Sequence, residues 1–212
     1  ALSDQMSYPV MFYRKDILSD LNIPVPQTWD DILAIVPFLQ NNNMEFFMQV
    51  NMPLTLGSAY QATSKPIPAA YLSMLYQKGV PLYNEEGTLA MTATDEALDV
   101  FEYWTNFYTR HSFPVTADFV TRFRLGIIPI AIVNFTNYNT LSVSAPEIEG
   151  DWSVAPVPGT LKENGEIDRS MPVANSAAMI IKNSVEKRGN SQAAWEFLKW
   201  WVSENTQTSY AR

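Results

Sequence analysis

The residues with the most chemistry per unit length are 134–140, where Asn134, Phe135, Thr136, Asn137, Tyr138, Asn139 and Thr140 set amides, hydroxyls and two aromatic rings side by side. Such a run binds rather than reacts, because amides and hydroxyls supply donors and acceptors without a usable proton at neutral pH. The same residues also build turns and helix caps, which are among the commonest uses of Asn, and both readings stand on the sequence alone. Catalytic alternatives are sparse. Asp30 and Asp31 are adjacent carboxylates, but they fall in the first turn of a predicted helix, where the helix dipole accounts for them. His111 is the sole histidine and there is no cysteine. Disulfides, thiolate metal sites and a cysteine nucleophile are therefore excluded, and a Ser–His triad or zinc site would rest on His111, which ends a predicted helix. The glycine-rich phosphate loops, the GxSxG elbow and the HExxH helix are absent from the sequence, and nothing in it asks for a cofactor.

An apolar run from Ile127 to Val133 precedes residues 134–140. Its Ile and Val content predicts a strand buried on both faces of a mostly parallel sheet. Gly126 and Pro129 argue against a helix, and Pro129 belongs at the strand's start or edge. In open α/β sheets ligands bind at the carboxyl ends of strands, which is where residues 134–140 would project. The sequon formed by Asn134, Phe135 and Thr136 sits at the end of that buried strand, so it reads as a chance match.

The remaining elements follow from periodicity. Residues 7–13 read as a strand, and residues 16–21 as a short helix broken by Pro24 and Pro26. Thr28 and Asp31 have the spacing of a capping box ahead of a helix with Trp29, Ile32, Leu33, Val36 and Leu39 on one face. Residues 45–50 read as a second buried strand, leading into Asn51 and Met52. Residues 55–78 have a helical, aromatic pattern, and 79–93 are turn-rich. Thr94 caps a helix whose apolar face holds Ala97, Leu98, Phe101, Trp104 and Tyr108. Trp152, Val154 and Ala155 suit a strand, residues 162–167 a turn at Asn164-Gly165, and residues 177–181 another strand. A final helix near Ser191 carries an apolar stripe that includes Trp195, Phe197, Leu198 and Trp201, expected to pack as core or interface. Strands alternating with helices define an α/β layer architecture.

The chain has 212 residues and 47% apolar content, enough to bury a sizeable core as one large or two small domains. Its net charge of −8 is spread along the chain without a basic cluster, so nucleic acid is not an expected partner. No apolar stretch approaches the roughly 18 residues of a membrane span. With neither a signal peptide nor a lipid-attachment motif, the chain is expected to be mature or a piece of something longer, and its end at Arg212 inside a helical pattern favours a piece.

Several segments in order resemble a known family. Residues 12–18 (FYRKDIL), 21–23 (LNI) and 26–32 (PQTWDDI) are similar to the YNKDLL…GI…PxTWDEL pattern of bacterial extracellular solute-binding proteins of ABC importers, the maltose-binding-protein-like group. Residues 76–98, 123–134 and 193–199 (AAWEFLK) resemble three later motifs of that family in the same order. The resemblance implies a type II periplasmic-binding-protein-like α/β fold with two lobes joined by crossing strands. It places residues 10–156 mostly in the second lobe and gives residues 157–212 to a segment returning to the first, whose opening units would be missing. It also implies a non-enzymatic receptor that delivers a sugar or oligosaccharide to membrane permease subunits, at the lipid-anchored outer face of the cell membrane or in the periplasm. Sugar-binding members often carry Gly-x-Trp where this chain has Asn134-Phe135-Thr136. Phe135 or Tyr138 would then replace the stacking Trp, since an aromatic face packs on a sugar's C–H surface. Asn51, Met52, Asn134 and Asn137 complete the implied contacts, with Arg169 and Asn175 reaching in from the other lobe. The competing reading is a glycoside hydrolase domain using two carboxylates, whose separation in space the sequence does not set.

Overall fold

The computed structural model describes residues 2–50 and 68–210. The chain opens with two strands, β1 (Leu2–Ser7) and β2 (Pro9–Arg14), parted at Tyr8. Then come α1 (Lys15–Asp20), α2 (Trp29–Asn41), β3 (Phe46–Met48), α3 (Ala69–Gln77), α4 (Asp95–Thr109), α5 (Phe119–Arg124), β4 (Ile130–Asn134) and α6 (Asn137–Ser144). After a single 3₁₀ turn, β5 (Trp152–Ala155), the short pair β6 (Thr160–Leu161) and β7 (Ile167–Asp168), β8 (Ala174–Ala178), α7 (Lys182–Arg188), α8 (Ser191–Trp201) and α9 (Glu204–Tyr210) complete the order.

The central sheet runs β3-β4-β2-β5. Its alternation sorts side chains into two cores, as a period of two requires. Met11, Phe46, Met48, Ile130 and Ile132 face one side, where Trp29, Ile32, Val36 and Leu39 of α2, Leu75 of α3 and Phe107 of α4 cover them. Phe12, Phe47, Ala131 and Val133 face the other, under Phe119 and Phe123 of α5 and Leu141 of α6. β4 is therefore buried on both faces, as its composition predicts. The sheet itself is mixed, which corrects the expectation of a mostly parallel one: β3 is parallel to β4, while β2 is antiparallel to both β4 and β5. A buried apolar run reports two covered faces, and says nothing of the direction of its neighbours.

Helix starts follow the sequence closely. Thr28 Oγ1 accepts the Asp31 N–H at 3.1 Å, and Asp31 Oδ2 accepts the N–H groups of Gln27 and Thr28 at 2.9 Å each. Thr94 Oγ1 accepts the Ala97 N–H at the start of α4. Pro129 sits just before β4, and its carbonyl accepts the Arg14 N–H at 2.9 Å. Two devices fix the entry into β4. Gly126 turns the chain at φ +75°, where a Cβ would lie 2.9 Å from the Ile17 side chain. The buried Arg14 guanidinium donates to the carbonyls of Phe123 and Arg124, both at 3.1 Å, while forking onto Asp16.

β1 and β8 form a separate antiparallel pair, Leu2 opposite Ala178 and Ser7 opposite Ala174. The strand expected at residues 177–181 therefore begins three residues earlier, and Ile181 instead precedes α7. The apolar stripe of α8 is core only in part, which leaves the interface alternative for the rest of it. Leu198 is buried, but Trp195, Phe197 and Trp200 are 39%, 57% and 56% exposed. Periodicity identified the face without identifying a cover for it.

Candidate functional site at the carboxyl end of the sheet

Because β2 runs against β4 with Pro9 opposite Asn134, the start of β2 and the end of β4 share one edge of the sheet. The end of β3 lies there too, with Met48 level with Ile132. Tyr108 of α4 secures it by donating from its hydroxyl to the Met48 carbonyl at 3.1 Å. Burial pushes the Tyr108 hydroxyl far above the ordinary tyrosine range, so it remains a donor at any physiological pH.

This edge carries an aromatic stack. Tyr8 and Phe135 lie with ring centroids 5.5 Å apart and planes 11° from parallel, and Phe135 and Tyr138 follow at 5.6 Å and 25°. Trp152 closes the group edge-on to Tyr138 at 5.1 Å. Phe135 and Tyr138 stay 38% and 42% exposed, a large apolar area left beside polar groups. The polar groups are ordered. Asn134 donates its amide to Ser7 Oγ and accepts the Thr136 N–H at 3.0 Å, while Asn137 donates to the Asn134 carbonyl at 3.0 Å. The turn-building reading of this run is the one these bonds display. The Asn side chains build the turn into α6, and the turn presents the rings.

The stretch 134–140 is not one loop, since α6 begins at Asn137. The structure brings Asn134, Phe135, Asn137 and Tyr138 together. Arg169 follows β7 and donates to Gln27 Oε1 at 2.6 Å, beside the start of α2. Asn175 stands in β8 opposite Met6. Asn51 and Met52 lie outside the described residues, as do residues 55–67 of the aromatic segment 55–78. Sequence reasoning missed Ser7, Tyr8 and Trp152 as members of this group. Only strand pairing assembles them, and no local signal marks it.

The adjacent carboxylates at the start of α2 each have a partner. Asp31 completes the capping box, and Asp30 accepts the Tyr103 hydroxyl at 3.2 Å. Asp30 lines a groove of about 450 Å³ between α2, α3 and α4, whose other carboxylates, Glu96 and Asp99, lie in or near the first turn of α4. Among the described residues no group of three or more His, Asp or Glu side chains is placed to hold a metal ion.

Solved structures share this architecture. Maltose-bound MalE3 of T. maritima matches with a TM-score of 0.64 at 19% identity, covering 98% of this chain and 51% of that one. An ABC transporter solute-binding protein of Thermotoga lettingae bound with α-D-tagatose matches at 0.61 and 16%, covering 99% and 51%. One from Agrobacterium radiobacter K84 in complex with ribitol matches at 0.62 and 17%, covering 100% and 51%. This chain thus spans about half the length of each, and the likeness establishes a type II periplasmic-binding-protein-like α/β fold. No curated protein sequence matches. A family model described as bacterial extracellular solute-binding protein matches residues 4–212, and with that nearly complete span the chain belongs to the bacterial extracellular solute-binding proteins.

Proposed function

We propose that this chain is part of the solute-binding receptor of an ABC import system, which captures a sugar or oligosaccharide and passes it to membrane permease subunits. The observation that carries the reading is the half-exposed stack of Tyr8, Phe135 and Tyr138 at the carboxyl end of β4, bordered by the amides of Asn134 and Asn137. Rings pack on the C–H faces of a sugar and amides bond its hydroxyls. The family is one of binding proteins rather than enzymes, and its description puts it outside the cell. Attachment by a lipid belongs to the same proposal.

Residues 10–156 supply the body of the second lobe. Val157 and Met171 pack into the same core as α2 and α3, and the Gly159 N–H donates to the Gln27 carbonyl at 2.9 Å, which supports a second lobe that continues beyond residue 156 to about Met171. The return toward the first lobe then starts at β8, and the pairing of β1 with β8 supports these strands as the crossing between lobes. Asn51, Met52, Arg169 and Asn175 are proposed as further contacts of the solute.

Calorimetric titration of mono- and oligosaccharides into the full-length protein tests this. Binding in the micromolar range, about −8 kcal/mol, is expected for at least one saccharide, weakened at least tenfold by Phe135→Ala. Absence of binding across the panel refutes the reading.

A further inference from the structure

The groove of about 450 Å³ between α2, α3 and α4 is also lined by residues 159–161. It lies on the other face of the sheet from α6, because α2, α3 and α4 cover the side that Met11 faces. Its floor is apolar, made by the buried Trp29, Met74, Val80 and Val100, and the exposed Leu161 forms a lip. The exposed Asp30, Glu96 and Asp99 stand at its rim with a single cation, Lys78. A concave apolar floor with a few convergent polar groups, in the range of about 300–1,000 Å³, is the usual form of a small-molecule site.

We infer that this groove is a separate ligand site, suited to an organic ammonium ion with an apolar body. Three carboxylates outnumber the one ammonium of Lys78, so the groove favours a cation. None of the three is taken up by an ion pair among the described residues. Asp30 spends one oxygen on the Tyr103 hydroxyl at 3.2 Å and keeps the other free to accept. Burial first, and then the Asp30 charge, push the Tyr103 hydroxyl above its ordinary range, so it stays a donor to Asp30 at any physiological pH. A metal ion does not fit the arrangement. Among the described residues these carboxylates are not placed to share one, and the apolar floor offers it no ligands. An ammonium on a hydrocarbon body uses both halves of the groove. Its N–H groups donate charge-assisted bonds to the rim, while its body covers the floor and the Trp29 and Tyr103 rings attract the charge. The site shares no residue with the stack of Tyr8, Phe135 and Tyr138, so it stands independently of the receptor reading.

The test is calorimetric titration of the full-length protein, at one ionic strength, with three probes of one shape: phenethylammonium, 2-phenylethanol and phenylacetate. Phenethylammonium should bind, the uncharged alcohol at least about tenfold more weakly, and phenylacetate not detectably. Joint replacement Glu96→Gln and Asp99→Asn should bring phenethylammonium down to the level of the alcohol. Leu161→Ala should weaken it about threefold by removing apolar cover alone. Lys78→Met should act in the opposite direction and tighten it. All four side chains are exposed, so thermal melts of these variants should stay within a few degrees of the unsubstituted protein. Phe135→Ala should leave phenethylammonium binding unchanged, and a loss there would place the probe at the stack and overturn the site. Phenylacetate binding as tightly as phenethylammonium, or unchanged affinity after the joint carboxylate replacement, also overturns it. So does failure of phenethylammonium to bind, while the saccharide titrations decide the receptor reading on their own.

Discussion

The Trp29 indole N–H donates to the Gln77 side-chain oxygen at 2.7 Å, joining the first residue of α2 to the last of α3 in a setting where the two are 3% and 1% exposed. The same oxygen accepts from Thr160 Oγ1 at 3.1 Å, and the amide nitrogen donates to the carbonyls of Pro158 and Ser170, both at 3.3 Å. Gln77 thus grips both stems of the β6–β7 hairpin and holds it on the lobe that carries the stack. Gln77→Ala leaves a buried indole N–H and two carbonyls without partners. The expected loss is about 2–3 kcal/mol of unfolding free energy, since each unsatisfied buried group costs about 1–3 kcal/mol and water recovers part of it. Urea denaturation followed by Trp fluorescence measures it, and an unchanged midpoint refutes the network's contribution.

The capping box at α2 makes a smaller prediction. Thr28→Ala removes the acceptor of the Asp31 N–H and loosens the return bonds from Asp31 to Gln27 and Thr28. A loss of about 1 kcal/mol is expected from helix-cap replacements, while Thr28→Asp restores most of it. Both are read from urea midpoints at constant slope.

Acid should weaken the hairpin. The Lys162 ammonium at 2.5 Å, helped by the hydroxyl and N–H of Ser170, lowers the Asp168 carboxyl to about 2. A carboxylate depressed by folding contributes stability that is complete above its unfolded value of about 4 and disappears as pH falls toward the folded value. Stability should therefore drop between about pH 4 and pH 2, and Asp168→Asn should flatten that part of the profile. Urea midpoints from pH 5 down to pH 2 for both proteins check the sign. An identical slope in the two excludes Asp168 as its source.

Much of this was legible beforehand, for local reasons. The caps at Thr28 and Thr94, the break at Gly126 and the buried run ending at Asn134 are all set by neighbours within a few residues, and each appears where the pattern put it. Strand direction was not legible, because an Ile–Val run buries equally well beside a parallel or an antiparallel partner. Nor was the cover of α8, since a face's partner lies elsewhere in space. The candidate site divides the same way. Asn134, Phe135, Asn137 and Tyr138 are consecutive enough to be noticed, whereas Tyr8 and Trp152 join them only through the register of β2 against β4 and β5.

That register yields the sharpest expectation. Tyr8 lies between β1 and β2, in the proposed crossing between lobes, and its ring stacks on Phe135 at 5.5 Å while Ser7 bonds Asn134. If Tyr8 supports the surface that Phe135 offers to a sugar, the two rings act as one unit and their removal is not additive. Tyr8→Ala should weaken saccharide binding about tenfold, or about 1.4 kcal/mol, while Tyr8→Phe keeps the ring and most of the affinity. The double variant with Phe135→Ala should then bind scarcely more weakly than Phe135→Ala alone, with a coupling of about 1 kcal/mol in a double-mutant cycle. Thermal melts of each variant separate this from unfolding, since binding must fall while the melting temperature changes by only a few degrees. Strict additivity between the two substitutions would show that Tyr8 touches Phe135 without helping it to hold the solute.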